Sequence, residues 1–283
     1  MRGTAKSSGS GREPLAAKVP EITALFWVVK ILTTGMGEAT SDFLANGNPA
    51  VAGVVGLGLF CFALWLQFRV RRYYAAVYWL AAVSVAVFGT MAADGLHVAL
   101  GVPYAGTVSL YAAFLIVVLV AWYRSEGTLS IHSITTRRRE VFYWCTVLAT
   151  FALGTALGDF AATTLNLGFL GSGLVFVALI AVPLIAWWKF GMNAILAFWF
   201  AYVVTRPLGA SFADYLGKPK SIGGVGFGDG TVAAAASVVI ILLVAYAMIS
   251  RSDVQRPAEA ERPGAAAGDD DTARLLSANL PRD

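Results

Sequence analysis

From Val19 to Ser250 the chain is a succession of long apolar stretches broken by short polar or glycine- and proline-bearing connections. A stretch of about 20 apolar residues wound as an α-helix crosses a hydrocarbon layer ~30 Å thick. The pattern predicts eight such helices, at about 20–44, 49–69, 73–99, 104–123, 140–165, 169–188, 192–215 and 226–250. Helices that are apolar on every side belong in the interior of a large protein or in a membrane. Eight in succession predict an all-α integral membrane protein.

The connections alternate in character. Those after the odd helices, Asn46-Gly47-Asn48-Pro49, Gly101-Val102-Pro103, Asn166-Leu167-Gly168 and Gly217-Lys218-Pro219, carry little charge beyond Lys218 and Lys220. Those after the even helices carry Arg69, Arg71 and Arg72, then Arg124 and Arg137–Arg139, then Lys189. Basic connections stay on the cytoplasmic side, so the even connections and both termini are expected there. The longest internal connection, Ser125–Arg139, holds His132, expected as a solvated loop histidine. Residues 1–17 are rich in Gly, Ser and charge and have no apolar core after a basic start, so they read as a tail rather than a cleaved signal. That tail and residues 251–283 are expected to be disordered, leaving a transmembrane domain at 18–250.

Within this domain one pattern is written four times. Phe26-Trp27, Tyr78-Trp79, Tyr143-Trp144 and Phe198-Trp199 each precede a glycine ten residues after the Trp (Gly37, Gly89, Gly154, Gly209) and an aspartate fifteen after it (Asp42, Asp94, Asp159, Asp214). A fixed spacing repeated in this way marks internal repeats, at about 18–69, 70–123, 137–188 and 190–250. Two helices per repeat make every repeat enter the membrane in the same direction, which predicts parallel repeats about an axis along the membrane normal. Trp27, Trp79, Trp144 and Trp199 lie beside the basic connections and are expected to anchor the interface.

Composition narrows the class. The chain is 58% hydrophobic and 13% charged, with a mean hydropathy of +0.68, which excludes an ordinary soluble enzyme. Cys61 and Cys145 sit inside apolar runs without a metal-binding spacing and are expected to be buried and inert.

Candidate chemistry comes from depth. At ~1.5 Å per residue the repeat glycines lie about 15 Å from the Trp level and the aspartates about 22 Å from it, so the four carboxylates share one level of the bilayer. An ionisable group at such depth marks a functional site. One helical turn before the aspartates stand Glu38, Thr90, Thr155 and Ala210, three of them offering oxygen on the same face. His97, three residues after Asp94, adds a nitrogen ligand or titratable group. Glu38 and the four repeat aspartates are five acids set against the two bases Lys30 and Arg206, a formal balance of −3 that calls for a cation, protons or both. Lys30 is near enough to the interface to snorkel, whereas Arg206 is deeper and requires a carboxylate partner. The glycines point away from the aspartate face; they either admit a neighbouring helix closely or interrupt the helix, with Pro207 marking the one strong kink signal. The competing reading makes each aspartate a cap or ion-pair partner at a helix end. Gly224-x-Gly226-x-Gly228 follows no strand and reads as a turn opening the last helix.

Residues 18–44, 135–160 and 198–219, together with the repeat they carry, resemble the bacterial membrane proteins built from four copies of "domain of unknown function 347". The resemblance covers about residues 18–250 and matches at Glu38, Asp42, Asp94, Asp159, Arg206 and Asp214, while Met91–His97 in the second repeat departs from the pattern. It implies a multipass protein of the bacterial inner membrane and carries little functional knowledge.

Two functions are weighed. The first is a secondary transporter or exporter of a small cation, a divalent metal such as Mn²⁺, with protons as counter-ions; hard cations favour the carboxylate and carbonyl oxygens present here. The second is a non-transporting scaffold or sensor with structural aspartates, acting through the Arg137–Arg139 connection and the tail. An enzyme is not expected, since no nucleophile–base pair stands at a workable spacing. The expected partners are the lipid bilayer and a small cation or proton, with no nucleic acid and no resident cofactor.

Overall fold

A computed structural model describes residues 17–255 of the chain. The tails at 1–17 and 251–283 therefore lie outside the described residues, except for Ala17 and Arg251–Gln255. Eight long helices follow one another: α1 (Ala24–Gly47), α2 (Pro49–Arg69), α3 (Ala75–Asp94), α4 (Tyr104–Glu126), α5 (Arg137–Asp159), α6 (Gly168–Phe190), α7 (Ala194–Gly217) and α8 (Asp229–Ser250). No strand occurs among the described residues.

Local chemistry sets the ends. The Asn48 side chain accepts from the amides of Ala50 and Val51, and Pro49 opens α2 where its missing N–H costs nothing. Asn193 caps α7 in the same way through Ile195 and Leu196. α4 and α6 stop at Gly127 and Gly191, whose φ of 71° and 65° lie in the left-handed region glycine enters freely. α3 and α5 end differently. Asp94 and Asp159 are their last α residues, and Gly95–Ala99 and Phe160–Thr164 continue as single π-helical turns. α7 runs on through Pro207, which leaves the Val203 carbonyl without its usual intrahelical donor.

The odd helices form an inner ring in which α1 packs on α3, α3 on α5, α5 on α7, and α7 back on α1. The even helices lie outside it, each packed mainly on the odd helix of the next repeat: α2 on α3, α4 on α5, α6 on α7, and α8 on α1. The sequence repeat (odd then even) is thus offset from the packing unit (even then odd), and α8 closes the circle. Seven of the helices are long and apolar enough to cross a membrane on their own; α1, which carries Lys30, Glu38 and Asp42, is the exception. Its polar residues Lys30 and Glu38 are buried inside the ring. The outer helices expose large apolar side chains such as Val54, Ile116, Leu184 and Ile249, a surface suited to lipid rather than water. The molecule is a multipass, four-repeat helical membrane protein.

The repeat glycines explain how the ring is drawn together. A Cβ on Gly37 would strike Ala86, one on Gly89 would strike Phe151, one on Gly154 would strike the Arg206 stem, and one on Gly209 would strike Thr34. Ala86, Phe151, Arg206 and Thr34 are the residues seven after Trp79, Trp144, Trp199 and Trp27. Each glycine therefore receives the equivalent side chain of the next repeat around the circle, the last contact joining the fourth repeat to the first. This is close small-residue packing, and the inner helices are continuous at the glycines.

The same cycle operates in the aromatic layer, and it corrects the expected role of the tryptophans. Phe26 packs on Trp79 at 5.9 Å between ring centroids, Tyr78 on Trp144 at 5.6 Å, Tyr143 on Trp199 at 6.3 Å, and Phe198 on Trp27 at 5.7 Å. Trp79, Trp144 and Trp199 are no more than 5% exposed and Trp27 is half-buried, so they close the ring from inside instead of forming a lipid-facing belt. Cys61 and Cys145 are also corrected: both are exposed on the outer surface.

The face bearing the basic connections is covered by the described segments that flank the bundle, Ala17–Thr23 and Arg251–Gln255. Lys18 pairs with the fully buried Glu140 at 2.6 Å, and Gln67 donates to the other Glu140 oxygen at 3.1 Å. The Asp253 carbonyl accepts from the Glu21 amide at 2.8 Å, and its carboxylate accepts from the Tyr73 hydroxyl. The 127–136 connection packs Ile131 and Ile134 into the core, and Trp199 donates to the Leu129 carbonyl at 2.9 Å. His132 is exposed in it, 3.6 Å from Glu21.

Candidate functional site

Arg206 stands at the centre of the ring. Its side chain is wholly buried, and its guanidinium donates to Glu38 Oε2 at 2.6 Å, to Thr155 Oγ1 at 2.7 Å, to Thr90 Oγ1, and to the Thr34 carbonyl at 2.9 Å. Glu38, Thr90 and Thr155 are the three oxygen-bearing residues found one turn before the repeat aspartates of α1, α3 and α5. The fourth repeat has Ala210 at that place and supplies Arg206 from one turn earlier. Three helices thus each give an oxygen, and the fourth gives the cation that satisfies them. The requirement that Arg206 have a carboxylate partner is met by Glu38.

One turn beyond this layer lie the aspartates. Carboxylate oxygens of Glu38, Asp42 and Asp214 come within 4.8 Å of one another, close enough for a single ion to touch all three. Lys218, in the turn after α7, reaches the same group: its ammonium is 2.5 Å from Asp42, 3.9 Å from Asp214 and 3.6 Å from Asp229. Burial works against the Lys218 charge, but Asp42 and Asp214 outweigh it and hold the amine above its ordinary pKa, so it stays an ammonium. The buried hydroxyls of Ser41 and Ser211 have no hydrogen-bond partner among the described residues.

The four aspartates therefore converge unequally. Asp94 and Asp159 are half-buried and within electrostatic reach of Glu38 and Asp42, but they stand outside the tight group. They share instead a place at the head of a π turn, a local widening that often accompanies functional positions. His97 joins none of them in that group. Its Nδ1 lies 2.8 Å from the Val102 carbonyl and its ring stacks 3.7 Å from Tyr104, which ties the π turn to the start of α4.

Lys30 departs from its expected place. It does not reach the interface: it is 1% exposed, its ammonium lies 4.1 Å from the Tyr202 ring and 4.2 Å from the Phe151 ring, and it has no hydrogen-bond partner among the described residues. The aromatic layer stands between it and the basic face, with the Tyr78 and Tyr143 hydroxyls 2.5 Å apart. The participation of Lys218 and Asp229 also went unread in the sequence. The available signal was Lys218 lying four residues after Asp214, one helical turn away on the same face.

A closed ring of four helix pairs, with a buried arginine and a layer of acids on its axis, defines a repeat-built helical membrane protein. The chain belongs to the family described as Repeat of Unknown Function (DUF347), which it matches at residues 25–73, 77–128, 142–192 and 197–253. No curated protein and no solved structure matches it.

Proposed function

We propose that the protein moves a small cation across the membrane, with Glu38, Asp42 and Asp214 as the ligands that hold it in transit. The observation that carries this reading is the approach of these three carboxylates to within 4.8 Å at membrane depth. Acids so placed cost several kcal/mol unless a cation or protons accompany them. The Arg206 guanidinium pairs with Glu38 and the Lys218 ammonium with Asp42, and a divalent ion shared by Glu38, Asp42 and Asp214, Mn²⁺ being one of suitable hardness, or protons exchanged for it, supplies further positive charge to the layer. Asp94 and Asp159, at their π turns, serve as the proton relay beside the binding group. The basic connections and both chain ends face the cytoplasm of a bacterial inner membrane, so the aromatic layer closes the cytoplasmic side and the acids lie toward the outer one. The protein acts as a transporter and not as an enzyme.

The competing reading, a scaffold or sensor with structural aspartates, is favoured by one observation: Lys218 ties Asp42, Asp214 and Asp229 together like a clasp between α1, α7 and α8. Thermal unfolding in detergent with Mn²⁺, Mg²⁺, Ca²⁺ and Na⁺ separates the two. Transport predicts that one cation stabilises the wild type and that Asp42→Asn and Asp214→Asn, both folded, lose this response. If no cation shifts the wild-type transition while both variants melt earlier, the scaffold reading holds.

A further inference from the structure

The basic face carries a second built feature, away from the acids. A groove of about 710 Å³ runs between the start of α3 and the end of α8. Its walls are apolar, formed by Val70, Ala76, Val77, Ala247 and Met248, and its rim carries Arg72 and Arg251. Both guanidiniums are exposed, and neither pairs with a carboxylate among the described residues. Arg72 Nε donates to the Tyr74 hydroxyl at 2.9 Å, which holds the side chain over that ring, and its two terminal nitrogens have no hydrogen-bond partner among the described residues. The one acid in the groove, Asp253, is nearly buried and already accepts from the Tyr73 hydroxyl.

We infer that this groove holds an anionic phospholipid of the surrounding bilayer, its headgroup phosphate between Arg72 and Arg251 and an acyl chain along the apolar walls between α3 and α8. The groove lies where two membrane spans begin and end, which is headgroup depth, and basic pockets between helices on the positively charged face suit anionic headgroups. Arginine is the residue for bidentate phosphate contact. The first turn of α3 lines the groove too, and no side chain among the described residues caps its amides, so they add donors on the same side. Arg251 occupies the residue after α8 with φ of 52°, the position that Gly127 and Gly191 fill after α4 and α6. A side chain there is strained relative to glycine, and its guanidinium is what the groove gains.

The test is native mass spectrometry of the full chain in detergent, titrated with phosphatidylglycerol and, separately, phosphatidylcholine. The wild type is expected to bind phosphatidylglycerol preferentially. Arg72→Gln with Arg251→Gln weakens that binding about thirtyfold, the product of roughly fivefold per arginine. Lys189→Gln, a basic residue elsewhere on the same face, leaves it unchanged. Equal binding of the two lipids, or an unchanged preference in the double variant, overturns the inference. So does full displacement by millimolar inorganic phosphate, which would make this a free-anion site. A wild type that binds neither lipid would overturn it as well, giving the groove to another occupant such as the acidic run Asp269–Asp271 of this chain.

Discussion

Arg206 meets Glu38, Thr90 and Thr155 in a layer that water does not reach, and this fixes what a single substitution there does. Removing one partner of a buried ion pair leaves the other charge uncompensated and costs about 3–5 kcal/mol, far more than a surface pair is worth. Arg206→Met should therefore unfold in detergent well before the wild type, and adding Glu38→Gln to it should restore part of the loss. Simple additivity of the two would show that the pair is not coupled. Lys218 stands outside that layer, paired with Asp42, Asp214 and Asp229. Under the transport reading Lys218→Met removes a resident ammonium from Asp42 and Asp214 and should raise the affinity for the bound divalent cation by tenfold or more. The repulsion between charges ~4 Å apart near a protein surface is on the order of a few kcal/mol, ample for such a change. The midpoint of cation-induced thermal stabilisation measures it, and a lower affinity in the variant would contradict the assignment.

The inner helices carry their assembly instructions in the glycine ten residues after each Trp. Gly154→Ala would press on the Arg206 stem and on Pro207, both held by the ring, so a loss of about 1–3 kcal/mol is expected from overpacking. Gly53→Ala on the outer helix α2 meets nothing within 4 Å and should be neutral or stabilising by up to ~1 kcal/mol through helix propensity. Comparing the two unfolding transitions checks the claim, and equal tolerance would sink it. The helices themselves were legible because lipid demands long apolar stretches, and α2, predicted at 49–69, runs from Pro49 to Arg69. The facing of their side chains was not. Trp79, Trp144 and Trp199 sit at the right level for an interfacial belt, yet each finds the first aromatic of another repeat inside the ring. Lys30 has a stem long enough to snorkel, but the aromatic layer closes the way. Cys61 and Cys145 lie in apolar runs that are outward-facing, since in lipid an apolar side chain has no reason to turn inward.

The circle is closed by contacts between residues far apart in sequence: α8 on α1, α7 on α1, and Gly209 on Thr34. This is why a chain that writes its aspartate four times brings only Asp42 and Asp214 to Glu38. They belong to α1 and α7, the helices joined at the closure, where Lys218 from the following turn can also enter. The repeat spacing gives a common depth for all four acids, and the pairing across the closure then distinguishes them. Asp94 and Asp159 stay on the far side with their π turns. The transport reading assigns to this asymmetric acid layer the passage of a cation across the bilayer. Its most direct test is flux into proteoliposomes of the purified protein, with Mn²⁺, Mg²⁺, Ca²⁺, Na⁺ and a proton gradient, beside folded Asp42→Asn and Asp214→Asn variants. Movement of one cation that both substitutions abolish is the predicted result. A monodisperse, folded wild type that moves none of them, or variants that move the ion as well as the wild type, would contradict it.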